Sequence, residues 1–188
     1  IKNERVAHAY LFSGPRGTGK TSSAKIMAKA VNCLKPGADG EPCNTCTNCE
    51  SITSGCSLDV LEIDAASNRG IEDIREIRER VSFVPSQGKF KVYIVDEVHM
   101  LTAEAFNALL KTLEEPTRHN ILILISSRLH RLPATILSRC QRLRFDPLPE
   151  QIVASYLEEQ CGVERTQAAL LAASASGSIG KAVEMNEG

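Results

Sequence analysis

Apolar positions along the chain fall into two kinds of run. Ala9 to Ser13 (AYLFS), Leu58 to Ile63, Lys91 to Val95 (KVYIV) and Ile121 to Ile125 (ILILI) are continuous short stretches, the pattern of strands buried on both faces. Between them apolar residues recur at helical spacing. Ala24, Met27, Ala28 and Val31 do so within Thr21 to Val31, as do Ile71, Ile74, Ile77 and Val81, and then Phe106, Leu109, Leu110 and Leu113 behind Thr102, a plausible N-cap, with Pro116 as the stop. This alternation predicts an α/β fold with a parallel sheet covered by helices on both faces. Leu143 and Phe145 predict a last strand, and Pro147 and Pro149 mark a boundary. After the boundary, Gln151 to Gln160 and Thr166 to Ala175 read as helices, and Gly177-Ser178-Ile179-Gly180 as a turn before a final helix. The expected organisation is one α/β domain over 1–147 and the start of a small helical lid domain over 148–188. Residues 32–55, rich in Cys, Pro, Gly, Asn and Thr, fit neither pattern and read as an inserted module held by something other than an apolar core.

Composition narrows the function classes. Lys+Arg 22 against Asp+Glu 23 leaves a net charge of -1, so any contact with nucleic acid must come from a local basic face. No run approaches the roughly 18–20 apolar residues of a membrane span, and no signal-peptide pattern opens the chain, so a cytoplasmic protein without membrane contact is expected. Aromatic residues are 4% with no Trp, which argues against stacking platforms for bases.

The strongest chemical signal is Gly14-Pro15-Arg16-Gly17-Thr18-Gly19-Lys20-Thr21, followed by Ser22, a full match to G-x-x-x-x-G-K-[ST] between a strand and a helix. Glycines let successive N–H groups turn toward phosphates, Lys20 reaches the β and γ phosphates, and the Thr21 hydroxyl ligates Mg²⁺ at a helix N-terminus. Asp96 and Glu97 end the KVYIV strand and so face the same loop. Asp96 suits the Mg²⁺ shell, and Glu97 suits orienting and deprotonating an attacking water. Ser126 or Ser127, at the end of the ILILI strand, reads either as a partner for the γ phosphate or water, or as a turn former. Arg139, after the short helical turn Ala134 to Leu137, reads either as a surface arginine or as a finger that completes a neighbouring subunit's site. Arg69, Arg75, Arg78 and Arg80 alternate with Glu72, Asp73, Glu76 and Glu79, the pattern of a salt-bridged solvated helix, with a DNA-tracking face as the alternative.

Seven Cys without a secretory signal do not suggest a disulfide framework. Cys33, Cys43, Cys46 and Cys49 read C-x9-C-x2-C-x2-C, which suits a closed tetrahedral zinc site, with an iron–sulfur cluster as the rival. Cys56, Cys140 and Cys161 are scattered.

Together, GPRGTGKT, the four-Cys insertion, DVLEIDAASNRGIEDIR, KFKVYIVDEVHMLTAEAFNALLKTLEEP and the SRC triplet resemble the bacterial clamp-loader ATPases, the DNA polymerase III gamma/tau subunits of the AAA+ family. The resemblance runs from about Ala7 to Phe145. It implies an ATPase subunit of the DNA polymerase holoenzyme that uses ATP and Mg²⁺ to open a ring-shaped sliding clamp and close it on primed DNA, in a hetero-oligomer with other clamp-loader subunits. Carried over, Gly14 to Ser22 bind the nucleotide, Thr21 and Asp96 hold Mg²⁺, Glu97 serves the water, Ser126 or Ser127 fills the first sensor position, Cys33, Cys43, Cys46 and Cys49 bind Zn²⁺, and Arg139 acts in trans. The chain departs from the family at Ser126-Ser127-Arg128, where Thr is more usual, and at Gly180, beside Lys181, where a second-sensor arginine is expected. Because it starts at Ile1, ahead of which the adenine-covering segment would lie, weak nucleotide affinity is expected. From Ser126 onward the chain is also similar to delta-prime subunits, so a non-hydrolysing scaffold that donates Arg139 is the rival expectation. Asp96-Glu97-Val98-His99 also fits a D-E-x-H helicase signature, but the chain has no room for a second motor lobe. No base-reading GTPase motif is present, and a small-molecule kinase leaves the cysteines unexplained.

Overall fold

The computed structural model describes residues 6–67, 84–114 and 118–187. The helix expected around Ile71 to Val81, its arginines, and Pro116 lie outside them. Strand β1 (Ala9–Ser13) leads into helix α1 (Lys20–Asn32), and a short helix α2 (Thr47–Thr53) precedes β2 (Val60–Asp64). Strand β3 (Lys91–Asp96), a 3-10 turn at Val98–Met100, α3 (Ala103–Glu114) and β4 (Asn120–Ser126) follow. After a second 3-10 turn at Leu129–Arg131 come α4 (Ala134–Leu137), β5 (Gln141–Arg144), and helices α5 (Glu150–Cys161), α6 (Arg165–Ser174) and α7 (Ile179–Glu187).

The five strands are all parallel, in the order β2-β3-β4-β1-β5, with Phe12 beside both Ile125 and Leu143. Alternate side chains serve different cores. Leu11, Tyr93, Val95, Leu122 and Leu124 pack with Ala105, Leu109 and Ile136 from α3 and α4, while Tyr10, Phe12, Val92, Ile94, Ile121, Ile123 and Ile125 pack with Ala24, Ala28 and Val31 of α1. Burial on both faces is why the central positions of β1, β3 and β4 are all apolar. Each fully buried Leu or Ile contributes about 1.5–3 kcal/mol, and truncating Ile123 to Ala would cost about 2–5 kcal/mol. The two edge strands are the exceptions: β5 is charged and all four of its residues are exposed, and β2 has no fully buried residue and carries exposed Glu62 and Asp64. A third core, built from Val153, Leu157, Ala168, Ala172, Ala175 and Ala182, joins α5, α6 and α7.

The Cys-rich module, expected to be held by something other than an apolar core, does send one residue into that core. It contains α2, and Ile52 from that helix enters the α1 face of the sheet core. Buried amides tie it down further: Asn48 Nδ2 donates to Asn32 O at 2.9 Å, and Asn32 Oδ1 accepts from the N–H groups of Lys89 and Phe90, both at 2.9 Å. β2 begins two residues later than the apolar run suggests. Asp59 is committed instead to the turn before β3, where its carboxylate accepts from the N–H groups of Ser86, Gln87 and Gly88, each at 2.7 Å. Thr102 caps α3 as expected, its hydroxyl accepting from Ala105 N at 3.3 Å.

Candidate functional site

Parallel pairing brings the carboxyl ends of all five strands to one edge of the sheet, the edge where open α/β sheets bind ligands. The glycine loop leaves β1 at that edge. Gly14 has φ 152°, and a Cβ there would fall on the Phe145 carbonyl oxygen, so only glycine lets the loop pass the chain that follows β5. Lys20, the first residue of α1, is 7% exposed and folds back over the loop, donating from Nζ to Gly14 O at 2.9 Å and Pro15 O at 2.5 Å. Burial pulls its pKa below the usual lysine value, against the opposing pull of Glu97 and Asp96. The ammonium therefore rests on carbonyls that a phosphate would displace.

A cavity of about 760 Å³ opens over this loop, within the size range of small-molecule sites. Its charged wall is residues 16–22 with Glu62, Asp64, Asp96 and Glu97. Leu148, Tyr156, Ile179, Gly180 and Val183, from the helical segment, form the opposite, mainly apolar wall. The Thr21 hydroxyl donates to Asp96 Oδ2 at 2.6 Å. Two oxygens this close fit adjacent positions around an octahedral Mg²⁺, whose edge is about 3 Å for metal–oxygen distances near 2.1 Å.

Glu97 stands just past β3 with φ 46°, a left-handed conformation unusual outside glycine, and its own N–H donates to Asp96 Oδ1 at 2.7 Å. Its carboxylate accepts from Arg16 Nε at 2.7 Å and Ser127 Oγ at 2.9 Å, and lies 3.2 Å from His99 Nδ1. Burial pushes the Glu97 carboxyl up, but the hydrogen bonds from Arg16 and Ser127 and the Arg16 charge outweigh it, leaving a pKa below the usual carboxylate value. Ser126 is fully buried, with its hydroxyl 3.2 Å from His99 Nδ1 and accepting from Arg128 N at 3.1 Å. Of the two serines, Ser127 touches the carboxylate and Ser126 holds the histidine behind it. Burial also lowers the pKa of His99, so the ring is neutral at pH 7.

The four sulfurs of Cys33, Cys43, Cys46 and Cys49 all lie within 4.8 Å of one another, with Cys33 and Cys49 buried. A tetrahedral ion with metal–sulfur distances of about 2.3 Å needs sulfurs about 3.8 Å apart, so the set fits one zinc with small adjustments. A hydrogen bond from the Thr45 backbone draws the Cys43 thiol down to about 6, while burial pushes Cys49 up to about 12. Cys33 follows the last residue of α1, Cys46 is the N-cap of α2 and Cys49 lies in its first turn, so the ends of two helices carry three of the four ligands.

Arg139 is not part of the cavity. Its guanidinium donates to Thr135 O at 3.0 Å and to Glu114 Oε1, at the end of α3, at 2.8 Å. The phosphate loop, Asp96 and Glu97 are thus gathered in one place, the four cysteines in another, and Arg139 lies at neither. Sequence reasoning missed Arg16 as a partner of Glu97, and it read His99 only as the end of a D-E-x-H signature, not as a neighbour of the Glu97 carboxylate and Ser126. It also missed Ser178, whose hydroxyl donates to Gly17 O at 3.1 Å from 161 residues away, and no sequence pattern announces that contact.

Residues 1–149 match the family model described as DNA polymerase III, delta subunit. The chain is 52% identical over 190 residues to the DNA polymerase III subunit tau of Bacillus subtilis, covering 98% of this chain and 34% of that protein. It is 44% identical to the Escherichia coli subunit tau, covering 97% of this chain and 29% of that protein. It therefore spans about a third of the length of these relatives. Among solved structures, a DNA polymerase III gamma subunit-related protein from Thermotoga maritima superposes with TM-score 0.62 and 27% identity over 94% of this chain and 56% of that one. The Thermotoga maritima RuvB Holliday junction branch migration motor, at 18% identity, gives TM-score 0.65 over 99% of this chain and 55% of its own, a likeness of fold.

Proposed function

The chain belongs to the DNA polymerase III subunit family, and we propose that it is the ATP-binding and hydrolysing part of a clamp-loader subunit of the gamma/tau kind. The observation that carries this reading is the cavity in which the glycine loop, Lys20 and the Thr21–Asp96 pair meet Glu97. Phosphoryl transfer asks a protein mainly to position groups and neutralise charge. Loop N–H groups from Gly14 to Ser22 and the Lys20 ammonium would hold the phosphates, while the apolar wall of Leu148, Tyr156, Ile179 and Val183 suits a purine. Thr21 and Asp96 would hold Mg²⁺, which supplies charge neutralisation at the β and γ phosphates. Glu97, ionised and held by Ser127, would orient and deprotonate water.

Arg139, outside its own chain's cavity, suits delivery to a neighbouring subunit once it leaves Glu114. Cys33, Cys43, Cys46 and Cys49 would hold one structural Zn²⁺. The family supports a multi-subunit assembly, for which we propose the sliding clamp and primed DNA as substrates, and the separate core of α5, α6 and α7 is consistent with a division between α/β and lid domains near residue 147. No helix among the described residues is long and apolar enough to cross a membrane. The DNA polymerase III relatives support our assignment of the chain to the cytoplasm. A second reading, a non-hydrolysing delta-prime-like scaffold, draws on Gly180 in the cavity wall and on the description of the matching family model.

Glu97→Gln, measured in the chain assembled with its partner subunits, tests the motor reading. Nucleotide binding should persist while phosphate release falls by about 10²-fold or more, the loss expected when a general base is removed. Equal phosphate release by wild type and variant would favour the scaffold.

A further inference from the structure

On the lid side of the cavity, Ser178 touches the glycine loop in a contact more specific than packing requires. Gly17 has φ 77°, and a Cβ on it would fall on the Ser178 hydroxyl. Ser178 is 5% exposed and its hydroxyl has two partners: it donates to Gly17 O at 3.1 Å and accepts from Lys181 N at 3.1 Å, the latter as the N-cap of α7. Ser178 is fixed in turn by its neighbour. Gly177 has φ 77°, packs against Pro147 and Leu148, and accepts from Leu148 N at 3.0 Å. The hydroxyl is therefore presented to the glycine loop from a rigid corner.

The Gly17–Thr18 peptide is trans, and a trans peptide carries its C=O and N–H in opposite directions. Holding the carbonyl toward Ser178 therefore turns the Thr18 N–H away from Ser178. That N–H makes no hydrogen bond among the described residues, and Gly17 and Thr18 both line the cavity. We infer that Ser178 is a positioning residue for phosphate binding: its hydroxyl fixes the Gly17 peptide so that the Thr18 N–H is aimed at the β phosphate of a bound nucleotide. The inference rests on the nucleotide-binding reading above and adds a lid residue to the phosphate site. It makes seating of the lid and readiness of the loop one event, because the same hydroxyl caps the lid helix.

The test separates the two jobs of the hydroxyl. Ser178→Ala removes both the donor and the cap, whereas Ser178→Gly removes the donor but remains a fair N-cap, within a few tenths of a kcal/mol of serine. Affinities of ADP and of AMP are measured by calorimetry for the wild-type chain and both variants, alongside thermal melts. Both variants should bind ADP about three- to tenfold more weakly, the loss of one ordinary hydrogen bond's worth of organisation, with little change for AMP, while only the alanine variant melts appreciably lower. If Ser178→Gly binds ADP as wild type does, the hydroxyl is a helix cap alone and the inference is overturned. Equal losses for ADP and AMP overturn it too, since the effect would not lie at the β phosphate. A wild-type chain that binds neither nucleotide would sink the nucleotide reading itself, and with it this one.

Discussion

Arg16 Nε stands 2.7 Å from Glu97 Oε1, so a residue of the phosphate loop holds the carboxylate that would act as base. The arginine side chain is 76% exposed, which makes the pair weak in energy and easy to open when a phosphate competes for the guanidinium. Ser127 and His99 stay with the carboxylate on its other side.

The pair has a pH signature. The Glu97 pKa lies below the usual carboxylate value, so the base form is present at neutral pH and is lost as pH falls through that lowered pKa. Arg16→Ala removes a hydrogen bond and a charge that hold it down. The acid limb of the pH–rate profile of the assembled complex should therefore move to higher pH. An unmoved limb would mean that Arg16 has left Glu97 before the step that limits turnover.

Lys20→Ala should weaken nucleotide binding by about 10- to 100-fold, the worth of a charge-assisted hydrogen bond to phosphate, while the melting temperature shifts by only a few degrees. The fold change is small because alanine suits the first turn of α1 and no core contact is lost. Calorimetric titration beside a thermal melt checks both halves. A variant that unfolds would show that the lysine supports the loop rather than the ligand.

For the cysteines, elemental analysis of protein purified without chelator should give about one zinc per chain, because four thiolates leave no coordination position open. Stripping the metal should raise hydrogen exchange most in the loop carrying Cys43 and in the first turn of α2. Ile52, packed into the sheet core, should keep the end of α2 protected. Uniform loss of protection across the sheet would make the metal part of the main fold.

Arg139→Ala should leave nucleotide binding by the isolated chain unchanged and lower hydrolysis in the assembly by about 10³-fold, as loss of an arginine supplied in trans does elsewhere. Arg139→Lys should restore little, since an ammonium lacks the planar fork. Mixing Arg139→Ala chains with Lys20→Ala chains identifies which neighbour supplies the arginine. Activity indifferent to that pairing would leave Arg139 as the partner of Glu114 and nothing more.

What could be read from the sequence was whatever depends on local order. Strand β1, helix α4 and the glycine loop lie where AYLFS, ATIL and GPRGTGKT place them, because burial on both faces and the loop's own backbone demands leave their mark on consecutive residues. The contacts that complete the site are of another kind. Arg16 meets Glu97 across 81 positions and Ser178 meets Gly17 across 161, and each pair is made by how the chain returns on itself. Helix α2 inside the Cys-rich module went unread for a related reason: it is short, and Ile52, its residue in the sheet core, gives no period to detect.

Helix α1 begins with the lysine that closes on the glycine loop and runs into the first cysteine of the sulfur cluster. Its thirteen residues form a rod about 20 Å long, packed along the sheet by Ala24, Ala28 and Val31. The two ends of that rod make an internal ruler. Cobalt in place of zinc at one end and manganese beside Thr21 at the other would give a pair of paramagnetic centres whose spacing is set by a single helix. Movements of neighbours and lid could then be measured against a length that belongs to the chain itself.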